Sequence, residues 1–79
     1  MDEVYELTRD NIIAECVDAN EKSLGRSATF NRGTMLTIVR EAHRWGVVRG
    51  LEYSTVRIGG RYFNVAALVL ENSITPKRS

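Results

Sequence analysis

Leu51-Glu-Tyr-Ser-Thr-Val-Arg-Ile58, then Gly59-Gly60, then Arg61-Tyr-Phe-Asn-Val-Ala-Ala-Leu68 is the stretch on which the fold turns. Both runs are rich in β-branched and aromatic residues, and two glycines between such runs suit a two-residue type I′ turn. That turn pairs Ile58 with Arg61, Arg57 with Tyr62, Val56 with Phe63 and Thr55 with Asn64. Side chains alternate along a strand, so Val56, Ile58, Phe63 and Val65 share one face. Arg57, Tyr62, Thr55 and Asn64 share the other. The run from Ala66 to Leu70 is too short for periodicity to separate strand from helix, and both readings stay open.

Upstream the apolar spacing changes. Thr34 offers a hydroxyl cap and Gly46 a stop, so a helix is expected over 34–45. Met35, Ile38, Val39, Ala42 and Trp45 would line its buried side. Thr37, Arg40, Glu41 and Arg44 would face solvent, with Leu36 and His43 at the boundary. A first helix is expected from Thr8, with Ile12, Ile13, Cys16, Val17 and Ala19 inward and Asn11, Glu15, Asp18, Glu21 and Lys22 outward, ending at Gly25. Residues 25–33 form a polar connector pinned by Phe30. Residues 1–7 read as an N-terminal arm, and 72–79, with Pro76, as a flexible tail. The expected fold is α+β, a single small domain over 1–79 in which two helices pack on a C-terminal β-hairpin.

The bulk composition excludes several classes. Of 79 residues, 43% are apolar and 27% charged, which is ordinary for one small soluble domain. The longest apolar run, from Val65 to Leu70, is far too short to span a membrane. The acidic N-terminus carries no signal-peptide core, so a cytoplasmic protein is expected. A lone Cys16 forms no internal disulfide and reads as a small apolar core residue rather than a nucleophile. His43, the only histidine, has no second ligand at metal-binding spacing and reads as a boundary residue. Gly59-Gly60-Arg61 lacks the spacing and following helix of a phosphate loop. No residue set implies catalysis, a cofactor or a metal.

Charge is more informative. The net charge is +1, yet residues 1–24 hold seven acids against two bases, and residues 25–79 hold nine bases against three acids. Such asymmetry speaks to partners. Arginine outnumbers lysine nine to two, and its planar fork suits phosphates and carboxylates. Arg40 and Arg44, four apart on the exposed side of the second helix, with Arg57, Arg61 and Tyr62 at the hairpin tip, form the candidate partner-binding surface. Both DNA and an acidic protein fit it, although the pI near 7.9 lies below that of strong nucleic-acid binders. An inert, solubilising surface is the bland alternative. Tyr53, Leu51 and Leu68 offer a further apolar face, on which a homodimer is conceivable.

The order helix, connector, helix and hairpin with a Gly-rich, arginine-bearing tip resembles a compact winged-helix variant. Within it, Ile38-Val-Arg-Glu-Ala-His-Arg-Trp-Gly-Val-Val48 is similar to a recognition helix ending at glycine, and Gly59-Gly60-Arg61-Tyr62 would be the wing. Val39, Glu41, Ala42 and Gly46, followed by the Gly-Gly turn, also resemble small podovirus-type phage proteins that inhibit host RNA polymerase. That resemblance implies a non-enzymatic, phage-encoded regulator acting on host transcription machinery or DNA, with Arg40, Arg44, Arg57 and Arg61 as contacts. The alternative is a charge-complementary inhibitor of another host system, a defence complex for example.

Overall fold

An antiparallel sheet accounts for most of the chain in the computed structural model, which describes residues 3–44 and 51–77. Its strands are β1 (Val4–Leu7), β2 (Ile12–Val17), β3 (Ser23–Phe30), β4 (Met35–Arg44), β5 (Glu52–Ile58), β6 (Arg61–Ala66) and β7 (Ile74–Pro76). One short helix, α1 (Ala67–Glu71), follows β6 directly. Across the sheet the order is β3-β2-β6-β5-β4-β1-β7.

The β5–β6 hairpin has the expected register, from Ile58 opposite Arg61 through Thr55 opposite Asn64. Gly59 and Gly60 both take positive φ, 58° and 80°, as a type I′ turn requires and as only glycine adopts without strain. Past Ala66 the chain turns helical, which resolves the reading left open for that run. Leu70 drops from α1 into the core.

The two-helix, winged-helix expectation is overturned. Residues expected as the first helix form β2 and part of the β2–β3 hairpin, and those expected as the second form β4. In β2 the buried positions Ile12, Ala14 and Cys16 alternate, while Ile13 is 66% exposed. Because Ile13 and Val17 are apolar as well, the period of two is hidden. In β4 the register against β5 shifts twice, between Ile38 and Arg40 and again between Arg40 and His43. Each bulge adds one residue and reverses the alternation, so the apolar spacing imitates a helix. Leu36 and His43 are buried, whereas Val39 is 54% exposed. The expected helix stop at Trp45 and Gly46, with Val47 and Val48 beyond, lies outside the described residues, as do Arg49 and Arg78.

The expected arm and tail supply strands. Tyr5, Glu6 and Leu7 of β1 pair with Pro76, Thr75 and Ile74 of β7, and Lys77 Nζ reaches Glu6 Oε1 at 3.1 Å. The backbone at Val4 accepts from the Lys77 N–H. Pro76, which has no N–H to offer, sits on the outermost strand, where a ladder tolerates it.

The sheet must curl. Residues 8–11 join β1 to β2, and 31–34 join β3 to β4, each across four places in the strand order. Four strand spacings in a flat sheet come to about 19 Å, whereas five residue steps reach at most about 18 Å even when fully extended. The two links run side by side and are laced together: Asn31 Oδ1 accepts from the Asn11 N–H, and Asp10 Oδ1 from the Arg32 N–H. Curling encloses Leu7, Ile12, Ala14, Cys16, Leu36, Val56, Phe63, Val65 and Leu70 on the inner face. Phe30 of β3 meets Phe63 edge-on, with centroids 4.9 Å apart.

Phe63 therefore couples the central hairpin to the β3 edge. Truncating a buried phenylalanine to alanine costs about 3–5 kcal/mol, comparable with the whole stability of a domain this size. Phe63→Ala is expected to be largely unfolded by far-UV circular dichroism. Phe63→Leu is expected to fold with a strand-type spectrum and a lowered urea midpoint.

Candidate functional site

The register sorts the five sequence-predicted contact residues onto two faces. Arg40 lies opposite Thr55 and Arg57 opposite Tyr62, which puts Arg40, Arg57 and Tyr62 on the outer face of the curled sheet. Arg44 pairs with Glu52 one residue beyond His43, so it points the other way. Arg61, opposite Ile58, also starts from the inner side, at the open end of the hairpin. Arg40 and Arg57 therefore lie on one side of the sheet and Arg44 and Arg61 on the other.

What the hairpin tip gathers is different. One cleft of about 380 Å³ is lined by Leu24, Arg26, Gly60, Arg61, Tyr62 and the side of Val17. A second, on the other flank of the turn, is lined by Val4, Met35, Thr37, Arg57 and Gly59. No carboxylate lines either cleft. Among the described residues, Arg26, Arg57 and Arg61 form no ion pair. Val4, Leu24 and Met35 are large apolar residues left exposed around them. Arg26 was not legible as a partner of the tip, since it joins only because β3 is carried there by β2.

A second cluster crosses the outer face. Arg40 lies opposite Thr55, Thr55 opposite Asn64, Asn64 opposite Glu15 and Glu15 opposite Ser27. These five form one transverse polar row. The β2–β3 turn folds over it. Asp18 Oδ1 accepts from the N–H groups of Asn20 and Lys22, and Glu21 takes a φ of 63°, which aims its side chain at the sheet. Glu21 Oε2 accepts from Arg40 Nη1 at 3.0 Å. Its Oε1 lies 2.5 Å from His43 Nε2 and accepts from Thr55 Oγ1 at 3.0 Å. Thr55 also donates to Asn64 Oδ1 at 2.6 Å, one hydroxyl proton serving two acceptors. His43 Nδ1 faces the Glu41 carbonyl at 2.9 Å. Both ring nitrogens thus face oxygen atoms of Glu21 and Glu41.

Three of these side chains, His43, Thr55 and Asn64, are buried. Burial, the largest single influence on the Glu21 carboxyl, opposes its ionisation, but hydrogen bonds from Arg40, Thr55 and His43 together outweigh it. Its pKa is held below the ordinary carboxylate value. Glu21, His43 and Thr55 have the residue types of a nucleophilic triad, yet carboxylate and hydroxyl both meet Nε2. A triad needs them on opposite ring nitrogens, so the trio is wired as a latch.

The acids expected on an exposed helix face are instead engaged in the fold. Glu15 accepts from Ser23 and Ser27, Asp18 holds the β2–β3 turn, and Glu21 closes the latch. Among the described residues no group of His, Cys, Asp and Glu is arranged to hold a metal ion, and no helix is long and apolar enough to cross a membrane. No protein-family model, curated protein or solved structure matches the chain.

Because Glu21 is more acidic folded than unfolded, its contribution to stability is complete above the ordinary carboxylate value and is lost as pH falls through its depressed folded value. Glu21→Gln is expected to cost about 1–3 kcal/mol at neutral pH. In urea melts against pH, the variant is expected to lose less stability than the parent on acidification.

Proposed function

We propose that the protein acts by binding, docking the tip of the β5–β6 hairpin on an acidic surface of a protein partner, with the transcription machinery as the leading case. The observation that carries this is the mixture at the tip: Arg26, Arg57 and Arg61 without ion pairs among the described residues, interleaved with Tyr62 and exposed Val4, Leu24 and Met35. Arginine, tyrosine and methionine are the residues enriched at protein interfaces, where apolar contacts are desolvated beside charge-assisted hydrogen bonds. A phosphate backbone has no use for the apolar members. The helix that was expected to enter a major groove is a strand, so that route to duplex DNA has no element to carry it.

The test is retention of purified bacterial RNA polymerase on the immobilised protein at low ionic strength. Arg57→Glu/Arg61→Glu is expected to lose at least about tenfold in affinity with an unchanged melting midpoint, as reversal of contact charges does. No retention by the parent protein overturns the transcription reading. Binding to random duplex DNA that falls steeply with salt, with several counterions released, would replace the protein partner by nucleic acid.

A further inference from the structure

Beside the latch, on the outer face of β2, β6 and β5, lies a groove of about 410 Å³ that the hairpin-tip reading does not use. Its polar end is the Glu15–Asn64 pair, directly opposite one another on neighbouring strands. Asn64 is only 1% exposed, and its Oδ1 is taken by Thr55. Its Nδ2 is buried with no hydrogen-bond partner. An unmatched buried donor costs about as much as a lost hydrogen bond, and natural structures rarely leave one without a reason.

The rest of the groove is shaped by a small residue between large ones. Ala66 lies opposite Tyr53, Ile13 and Val69 stand exposed beside it, and all four line the hollow. An apolar slot thus leads to the unmatched buried amide of Asn64 and to the Glu15 carboxylate, whose oxygens already accept from Ser23 and Ser27 and retain further lone pairs. The size suits a single small ring system, and concave apolar walls with a few placed polar groups are the usual make-up of ligand sites.

We propose that this groove binds a small planar ligand whose edge carries a hydrogen-bond acceptor beside an N–H donor, the lactam or ureide edge of a pyrimidine-type ring. The ring body lies over Ala66 between Ile13 and Tyr53. Its carbonyl accepts from Asn64 Nδ2, and its N–H donates to the Glu15 carboxylate. The charge of Glu15 favours a neutral ligand over an anionic one, so a base or nucleoside fits better than a free phosphate.

Uridine and 3-methyluridine are the probes, since methylation removes the N–H and leaves the ring. Binding to the full chain is followed by NMR through the Asn64 side-chain amide and the Ile13 and Val69 methyl groups. Uridine is expected to shift these signals saturably at about millimolar concentration or below. Methylation and Glu15→Gln are each expected to weaken binding about tenfold or more. Ala66→Leu, which fills the slot without touching either polar group, is expected to abolish binding while the remaining spectrum stays that of the folded protein. Absence of saturable shifts with uridine overturns the proposal. So does equal binding of 3-methyluridine, or binding that survives Ala66→Leu.

Discussion

Residues 8–11 and 31–34 each carry the chain across four strand places with at most about 18 Å of reach, and the sheet bends until that distance suffices. Bending sorts every strand into an inner and an outer side. The inner side collects the aliphatic and aromatic core, with Val56 and Leu7 almost wholly enclosed. The outer side, which in a flat small sheet would be simple solvent-facing surface, becomes convex and partly covered by the β2–β3 turn. Hydrogen bonds from the backbone amides of Arg32 and Asn11 to Asp10 and Asn31 across the two links then hold the curl from outside the core.

That covering gives the molecule a polar layer as well as an apolar one. Thr55, Asn64 and His43 are buried on the side of the sheet away from the core, and Glu21 bonds Thr55 and His43 from a turn far along the chain. In a domain with so small a core, a buried donor or acceptor left alone weighs heavily against a marginal total. The latch is therefore as much a part of the fold as the Phe30–Phe63 contact. It also divides the outer face: arginines and exposed apolar side chains toward the hairpin tip, and the Asn64–Glu15 groove toward the start of α1.

The sequence was most legible where structure is decided by near neighbours. Gly59-Gly60 dictates a turn, the turn dictates a register, and the four residue pairs from Ile58–Arg61 to Thr55–Asn64 follow without knowledge of anything else. Strands β2 and β4 failed for opposite reasons. In β2 the outward Ile13 and Val17 are apolar, so alternation cannot be seen. In β4 two bulges break an alternation that starts correctly at Leu36 and Ile38. Bulges answer to the partner strand and to curvature, neither of which is written locally. The same divide governs the sites. Arg57, Arg61 and Tyr62 belong to the hairpin and were found from it. Arg26 joins them through β2, and Glu21 meets His43 and Thr55 across 22 and 34 residues of chain, beyond the reach of any spacing rule. The surplus of acids in the first 24 residues read as a free face, but most of those carboxylates are spent on serines, backbone amides and the latch.

The place of β1 between β4 and β7 has a consequence for synthesis. As the chain leaves the ribosome, β1 comes first but has no lateral neighbour until β4 follows, and its other edge waits for β7. The β2–β3 hairpin is translated next, and its inner edge has no partner until β6 appears. A nascent chain ending anywhere before β6 thus displays unpaired strand edges of the kind that recruit other chains. The central hairpin β5–β6 joins the two halves when it arrives, β5 pairing with β4 and its neighbour β1, and β6 with β2 and its neighbour β3, and β7 then covers the remaining edge of β1. The hairpin that joins the two halves of the sheet is thus among the later elements to be translated.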